Sequence, residues 1–318
     1  MGVKNIFKYL RATPIINIPV RVLVKNRTAF DQRVLNFFSL HWPVTGIISF
    51  HLPKGEKVKI YSKGDDYVST QAFWKGYMGY EGPSVQLFYY LSKQCKTIID
   101  IGANVGYFTL IGASSNPTAK VYSFEPVKHI FERLNKNVNI NNLTNVIAEN
   151  SVVGNSEMPV KFYLPKTNGI ALAGSTKRGW ADDAEEIMVP SISLDNYKNK
   201  QSISNIELIK MDCEFHEKEV LEGMSDILKN DKPLILMEVL FPEGEGQKGH
   251  FEMVTHVEIE RIMKEYGYSF YLISKDALIR VDKLEYNPDE RNYLFSPTRS
   301  EKIYLSFSDM DSVIKNIT

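Results

Sequence analysis

From about residue 84 onward, short apolar runs of strand length alternate with longer segments whose apolar positions recur every three or four residues. Residues 97–101, 120–125, 145–149, 206–211, 234–238 and 268–273 are near-continuous apolar runs, the pattern of strands buried on both faces. Between the second and third runs, Val127, Ile130, Phe131, Leu134 and Val138 fall on one helical face, which leaves Lys128 and His129 in solvent. Residues 257–266 predict another helix. This βα rhythm predicts a parallel sheet with right-handed crossovers. Residues 1–85 lack it. There, residues 45–61 read as two short strands around a Pro-Lys-Gly-Glu turn. The expected organisation is an N-terminal helical and β segment over 1–85 and an α/β domain over 86–318. Two further strands are expected at 160–164 and 188–192. They flank a polar loop with Gly169, Gly174, Gly179 and Trp180, which either lines a substrate pocket or lies on the surface.

The first core strand breaks into Gly102-Ala-Asn-Val-Gly106 and then a helix. Glycine suits a turn that a ligand must approach closely, Asn104 tolerates an unusual conformation, and the helix amides behind point at the occupant. A dinucleotide fingerprint is longer and carries a third glycine. The shorter turn, with Asp100 disfavouring an anion, points to an adenosine cofactor without phosphates, one with cationic groups. Glu125 ends the second strand about twenty residues after the turn, the place of a ribose-binding acid, and Pro126 follows at a favourable first helical position. Asn150 and Ser151 lie past the third strand, where Asn150 either meets the base edge or makes an ordinary turn.

Ligands in open α/β sheets sit at the carboxyl edge, so Asp100, Glu125, Asp212 and Glu238 should face one crevice. Such a row of acids calls for a cation. A sulfonium and amino group supply one; a divalent metal is the other option, but the spacing matches no metal motif and no metal ligands are assigned. For proton removal His216 is the natural base, with an ordinary pKa of about 6.5. Asp212 or Glu214 orients it or acts directly. The plainer alternative is a solvent-facing residue at a helix start, with Glu217 and Glu219 serving the helix dipole. Residues 241–250, glycine-rich, read as a substrate lid or a surface loop, with His250 a second candidate base.

The runs Asp-Ile-Gly-Ala-Asn-Val-Gly-Tyr-Phe-Thr, Ser-Phe-Glu-Pro and Ile-Lys-Met-Asp-Cys-Glu-Phe-His-Glu-Lys-Glu-Val-Leu-Glu-Gly resemble the FkbM family of S-adenosyl-L-methionine (SAM)-dependent methyltransferases. Tyr77-Met-Gly-Tyr-Glu81, Tyr266-Gly-Tyr268 and Arg291-Asn-Tyr-Leu-Phe295 support the match, which covers roughly residues 73–297. The resemblance implies a Rossmann-like class I methyltransferase. Its seven-stranded, mostly parallel sheet carries helices on both faces, beside a small β-containing N-terminal segment. It implies SAM binding by Glu81, Asp100, Gly102, Ala103, Asn104, Gly106, Tyr107, Phe108, Glu125, Pro126, Asn150, Ser151 and Asp212, and catalysis by Asp212, Glu214 and His216. The acceptor is expected to be a hydroxyl on a small molecule or a glycan sugar unit. N-methylation, or a nucleoside-binding protein without catalysis, are the alternatives. An NAD enzyme is opposed by the missing third glycine. One position departs from the family pattern: Phe215 stands where a glycine is usual, so either the pocket is reshaped or the loop backbone differs.

Charge adds an exclusion. Lys and Arg total 38, as do Asp and Glu, so nothing draws the chain to nucleic acid. Two cysteines among 318 residues make no disulfide framework, and acidic neighbours make Cys213 a poor nucleophile. No stretch spans a membrane, and the N-terminus has no continuous signal-peptide core. Ile6 stands where a myristoylation motif needs Ser or Thr. Ile6, Phe7 and Leu10 form either a packing helix or a peripheral membrane contact. A cytoplasmic enzyme is expected, with no integral membrane segment.

Overall fold

The structure, a computed structural model, describes residues 32–165, 175–176, 184–241, 255–285, 290–298 and 304–318, with the single positions 19, 287, 300 and 302. Helix α1 (Gln32–His41) leads into an antiparallel hairpin, β1 (Thr45–His51) and β2 (Lys57–Lys63), turned at the expected Pro-Lys-Gly-Glu. Helices α2 (Tyr67–Lys75) and α3 (Gly82–Ser92) carry the chain to the main sheet. Asp66 caps α2 by accepting the Ser69 N–H at 2.6 Å. The expected βα alternation follows: β3 (Thr97–Ile101), α4 (Tyr107–Ser115), β4 (Lys120–Phe124), α5 (Lys128–Ile140) and β5 (Val146–Glu149). An excursion contains β6 (Val152–Val153), β7 (Val160–Pro165), β8 (Ala184–Val189), β9 (Ser191–Ile192) and α6 (Leu194–Lys200). Then come β10 (Leu208–Met211), α7 (Glu217–Glu222), α8 (Ser225–Asn230), β11 (Leu234–Glu238), α9 (Thr255–Glu265) and β12 (Ser269–Ile273). The chain closes with β13 (Ala277–Val281), β14 (Asn292–Ser296), β15 (Tyr304–Ser306) and α10 (Met310–Ile317).

The main sheet has the order β15-β13-β12-β14-β11-β10-β3-β4-β5. From β5 to β11 all neighbours are parallel. β14 inserts antiparallel between β11 and β12, which completes the seven strands of a class I methyltransferase sheet. β13 and β15 extend that edge, so the sheet has nine strands rather than the expected seven. The added strands are short, antiparallel and joined to β12 without a helix, so no βα rhythm marks them. The strand order turns at β3, flanked by β10 and β4, and puts a crevice at the carboxyl ends there.

One face of the sheet packs on α6–α9 through Ile99, Ile209 and Met237 against Leu194, Val220, Ile227 and Ile259. The other face, through Ile98, Leu208 and Leu236, packs on α3–α5 and on the hairpin residues Ile48, Phe50 and Ile60 in one continuous core. Residues 32–85 thus share the core of the sheet. Ile60 is fully buried, worth about 1.5–3 kcal/mol against exposure. Polar clamps fix the register: Asn137 of α5 and Asn141, which caps its C-terminal end, accept the N–H groups of Tyr61 and Lys59 at 2.7 and 2.8 Å. Arg133 grips Asp65 with two bonds of 2.7 and 3.0 Å. Among the described residues no helix is long and apolar enough to cross a membrane.

Candidate functional site

The turn after β3 is left-handed at Gly102 (φ 77°), Asn104 (φ 50°) and Gly106 (φ 94°). A side chain at Gly102 would put its Cβ 1.8 Å from the carbonyl oxygen of Asp212, and one at Gly106 would meet Leu134 at 2.5 Å. The close approach that demands glycine is therefore made by the chain itself. Glu125 ties this turn to the end of β4: its two carboxylate oxygens accept the N–H groups of Asn104 and Val127 at 2.9 and 2.8 Å. Burial, against those two bonds, pushes its pKa up to about 7. Asn150 donates its amide to the carbonyls of Glu125 and Pro126 at 2.8 and 2.9 Å, so its side chain builds the turn. Helix α5 is capped by Val127, so Pro126 precedes the helix instead of opening it. Lys128 and His129 are exposed, as expected.

Two cavities meet over the carboxyl ends of β3 and β10. The first has apolar walls from Ile101, Phe124, Pro126, Val152 and Phe162, with Glu125, Ser151 and His216 among its polar groups. The second is lined by Asp100, Ala103, Asn104, Tyr107, Phe108, Tyr80 and Lys210. Gly102, Asp212 and Glu214 line both. The expected cofactor residues are thus gathered in one crevice, except that Gly106, Asn150 and Glu81 stand behind the walls.

The sequence reading passed over Lys210. It sits within β10, 1% exposed, with Nζ 3.4 Å from Glu81 Oε2 and 4.8 Å from the centre of the Phe108 ring. Carboxylate oxygens of Glu81, Asp212 and Glu238 lie within 4.8 Å of one another. Burial works against the Lys210 charge, but Glu81, Asp212, Glu238 and Asp100 outweigh it and push the ammonium up. Burial, reinforced by Asp212 and Glu81, pushes Glu238 up to about 9. Asp100 is raised to about 6 by burial, although the Thr109 hydroxyl donates to it at 2.6 Å. The one sequence signal for Lys210 was a charge inside Leu-Ile-Lys-Met, a position that must be paired if the strand is buried. Tyr80 and Glu81 enter from the turn before α3, and Glu81 is left-handed (φ 44°).

His216 caps α7 but is 7% exposed, so it does not face solvent. Its Nδ1 lies 2.8 Å from Thr176 Oγ1 and 3.4 Å from Glu219 Oε2. A Cβ on Gly154 would fall 2.8 Å from its Nε2, which places the ring against that backbone in the wall of the first cavity. Glu217 stands in the first turn of α7, as expected, but it is buried, at 2%, and burial raises it to about 7. Burial, then Glu217 and Asp212, pushes the Cys213 thiol well up and away from nucleophilic use. Glu214 (φ 51°) and Phe215 (φ 70°) are both left-handed, so the loop keeps a path that suits glycine although Phe215 occupies it. The loop glycines Gly169, Gly174 and Gly179, Trp180, the lid at 242–250 with His250, and the first turns with Ile6, Phe7 and Leu10 lie outside the described residues.

The two cavities differ in chemistry. The first offers apolar walls with the Glu125 carboxylate and the Ser151 hydroxyl away from the shared Asp212 and Glu214, which suits a neutral base and a ribose. The second sets Asp100, Asp212 and Glu214 around Lys210, which suits a cationic amino-acid head and repels a pyrophosphate. These residues fit SAM. The methyltransferase FkbM domain matches residues 100–270. "Methyltransferase sdnD" of Sordaria araneosa is 22% identical over 224 residues, 61% of this chain and 78% of that one. "Methyltransferase 1" of Beauveria bassiana is 24% identical over 145 residues, 41% of this chain and 58% of that one. Among solved structures, the methyltransferase FkbM from Methylobacillus flagellatus is 13% identical over 72% of this chain and 52% of that one (TM-score 0.38). An O-methyltransferase from Bacillus cereus in complex with S-adenosylhomocysteine (SAH) is 12% identical over 68% and 80% (TM-score 0.40).

Proposed function

The chain belongs to the FkbM methyltransferase family, with SAM as its cofactor, and on that premise we propose that it methylates a hydroxyl of a small molecule or of a glycan sugar unit. When bound, the cofactor supplies an electrophilic methyl group. The chain's own residues hold, orient and dry the reactants, which is where much of the rate of such a transfer arises. Glu125, Pro126 and Ser151 would hold the nucleoside, while Asp100 and Asp212 would face the cationic head, with Glu81 behind them paired to Lys210. The observation that carries this reading is that the two cavities meet at Asp212 and Glu214, which border both. A carboxylate there stands where the nucleoside and head halves join and can receive an acceptor's proton. His216, in the wall of the first cavity, shapes the pocket in this reading, and the catalytic work falls to the acids. The retained path at Glu214 and Phe215 supports a working loop over a lapsed one. Two unpaired thiols, Cys95 and Cys213, support a cytoplasmic setting.

The test is calorimetric titration with SAM, SAH and NAD, followed by turnover of methyl-labelled SAM on panels of hydroxyl and amine acceptors. Binding of both adenosyl ligands with label on hydroxyls is expected. Label on amines alone replaces the hydroxyl assignment by N-methylation. Tight NAD binding, or no adenosyl binding by folded protein, overturns the reading.

A further inference from the structure

The cofactor's amino-acid head is not purely cationic. Beside the sulfonium and the ammonium it carries one carboxylate, which the acids of the second cavity, Asp100, Asp212 and Glu214, repel. A cavity lined by acids alone would favour a head without that group. The glycine turn offers the carboxylate nothing, because its N–H groups are all used within the chain. Gly102 and Ala103 donate to the Phe124 carbonyl at 3.0 and 2.9 Å, and Gly106 to the Ala103 carbonyl at 2.8 Å. Asn104 donates to Glu125 at 2.9 Å, and Val105 to the Asn104 side chain at 2.7 Å. The Tyr107 hydroxyl is given to the Tyr77 carbonyl.

The basic side chain in that lining is Lys210. It is 1% exposed, yet its Nζ has no hydrogen-bond acceptor among the described residues. Glu81 Oε2 at 3.4 Å and the centre of the Phe108 ring at 4.8 Å hold the ammonium in place and leave it N–H donors for a ligand. Asp100 stands beside it in register across β3 and β10, so the charge is kept on at neutral pH. A buried donor without an acceptor is costly until one arrives.

Resting on the methyltransferase reading above, we propose that Lys210 receives the carboxylate of the cofactor's amino-acid head and thereby restricts the site to adenosyl ligands that carry that group. The two charged ends of the head are then read separately, the ammonium by Asp212 just past β10 and the carboxylate by Lys210 within it. Glu81 keeps the lysine in position without satisfying its donors. The role is one of positioning: with the nucleoside held at Glu125, a second fixed point on the head restrains the sulfur between them.

The experiment is calorimetric titration of the full chain with SAM and with decarboxylated SAM, which keeps the sulfonium and the amine but lacks the carboxylate. Wild type should bind SAM about 10–100-fold more tightly, the range for a hydrogen bond to a charged group. Lys210→Met should lose that preference or reverse it, because the remaining acids favour the ligand of greater positive charge. Lys210→Arg should keep part of it. Glu81→Gln should keep it as well, whereas a lysine that serves only as counter-ion to Glu81 would make Glu81→Gln and Lys210→Met behave alike. Should Lys210→Met fail to fold, Lys210→Met/Glu81→Gln removes both ends of the buried pair and carries the same measurement, with cooperative urea denaturation as the check on its fold. Equal affinity of wild type for the two ligands, a preference that persists without Lys210, or an equal loss in Glu81→Gln overturns the role of Lys210. In those cases SAM binding by wild type leaves the methyltransferase reading standing. Failure of folded wild type to bind SAM or SAH overturns both.

Discussion

Replacing Lys210 by Met removes the ammonium from the carboxyl edge while keeping a stem of similar volume. At 3.4 Å from Glu81, and with an effective dielectric of about 20, the gross attraction is about 5 kcal/mol. The desolvation of both ions offsets part of it. Removing one partner of a buried pair costs about 3–5 kcal/mol, because the other charge is left behind. Here the orphaned carboxylates have an escape: they bind protons. A carboxyl group whose pKa is raised in the folded state stabilises at low pH, and that contribution is lost as pH rises through the raised value. Glu81 is raised, and loss of the cation lifts it further, whereas Glu238, already near 9, holds its proton over this range with or without the cation. The cost of Lys210→Met is therefore greatest near pH 8.5, at about 3–5 kcal/mol, and shrinks by up to about 1.4 kcal/mol per pH unit as pH falls and Glu81 takes up a proton. Urea denaturation followed by tryptophan fluorescence, at pH 5.5 and 8.5, measures both values. The double variant Lys210→Met/Glu81→Gln should recover part of the loss at the higher pH. A cost under about 1 kcal/mol at pH 8.5, or an equal cost at both pH values, refutes the account of a shared buried cation.

Other consequences follow from the loop and from the buried acids. Phe215→Gly should be more stable than Phe215→Ala by about 0.5–1 kcal/mol, since relief of a left-handed side chain (roughly 1–2 kcal/mol) exceeds the entropic cost of glycine. The usual order, alanine above glycine, would show that the φ of 70° is not held in solution. Glu125→Gln leaves either the Asn104 or the Val127 N–H without an acceptor and should cost about 1–3 kcal/mol, with weaker SAM affinity in calorimetry; unchanged stability rejects the clamp. Asp100, Glu125 and Glu217 are raised by burial to about 6, 7 and 7. Each favours the folded state below the ordinary carboxylate range and loses that contribution as pH rises through its raised value. The melting temperature should fall between pH 5 and 8 and SAM should raise it more at pH 8; a flat or rising profile contradicts this.

The strands that the sequence made legible are those whose residues are buried on both faces. Ile98 and Ile99 pack into opposite cores, so Thr-Ile-Ile-Asp-Ile reads as apolar throughout. Strands β13 and β15 lie on an antiparallel edge with no crossover helix, and their short mixed pattern resembles loop. The glycine turn was legible as a turn, but the reason for Gly102 was not: the obstructing atom belongs to Asp212, far along the chain. His216 reads as a free-standing base because charged residues, Glu214, Glu217 and Lys218, stand around it in sequence, whereas Gly154 and Thr176, which enclose it, come from other segments. Lys210 was hidden for the same reason. Its flanks are apolar, and the acid that pairs with it sits before the sheet begins.

This asymmetry separates the two halves of the site. The nucleoside half is built by consecutive strand ends, β3, β4 and β5, each joined to the next by one helix, so motif spacing alone locates it. The head half draws Tyr80 and Glu81 from the turn before α3, Lys210 and Asp212 from β10, and Glu238 from β11. No spacing rule links those segments; only the packing of the N-terminal segment on the sheet does. That segment therefore acts on the chemistry as well as on the fold. Its Glu81 is the partner without which Lys210 is a buried unpaired cation. It also adds the third carboxylate to the cluster with Asp212 and Glu238, and is among the charges that push Glu238 up. A site whose cation comes from β10 and whose pairing carboxylate comes from the turn before α3 assembles its charge balance only in the folded chain, which is why the motifs locate the nucleoside half more readily than the head half.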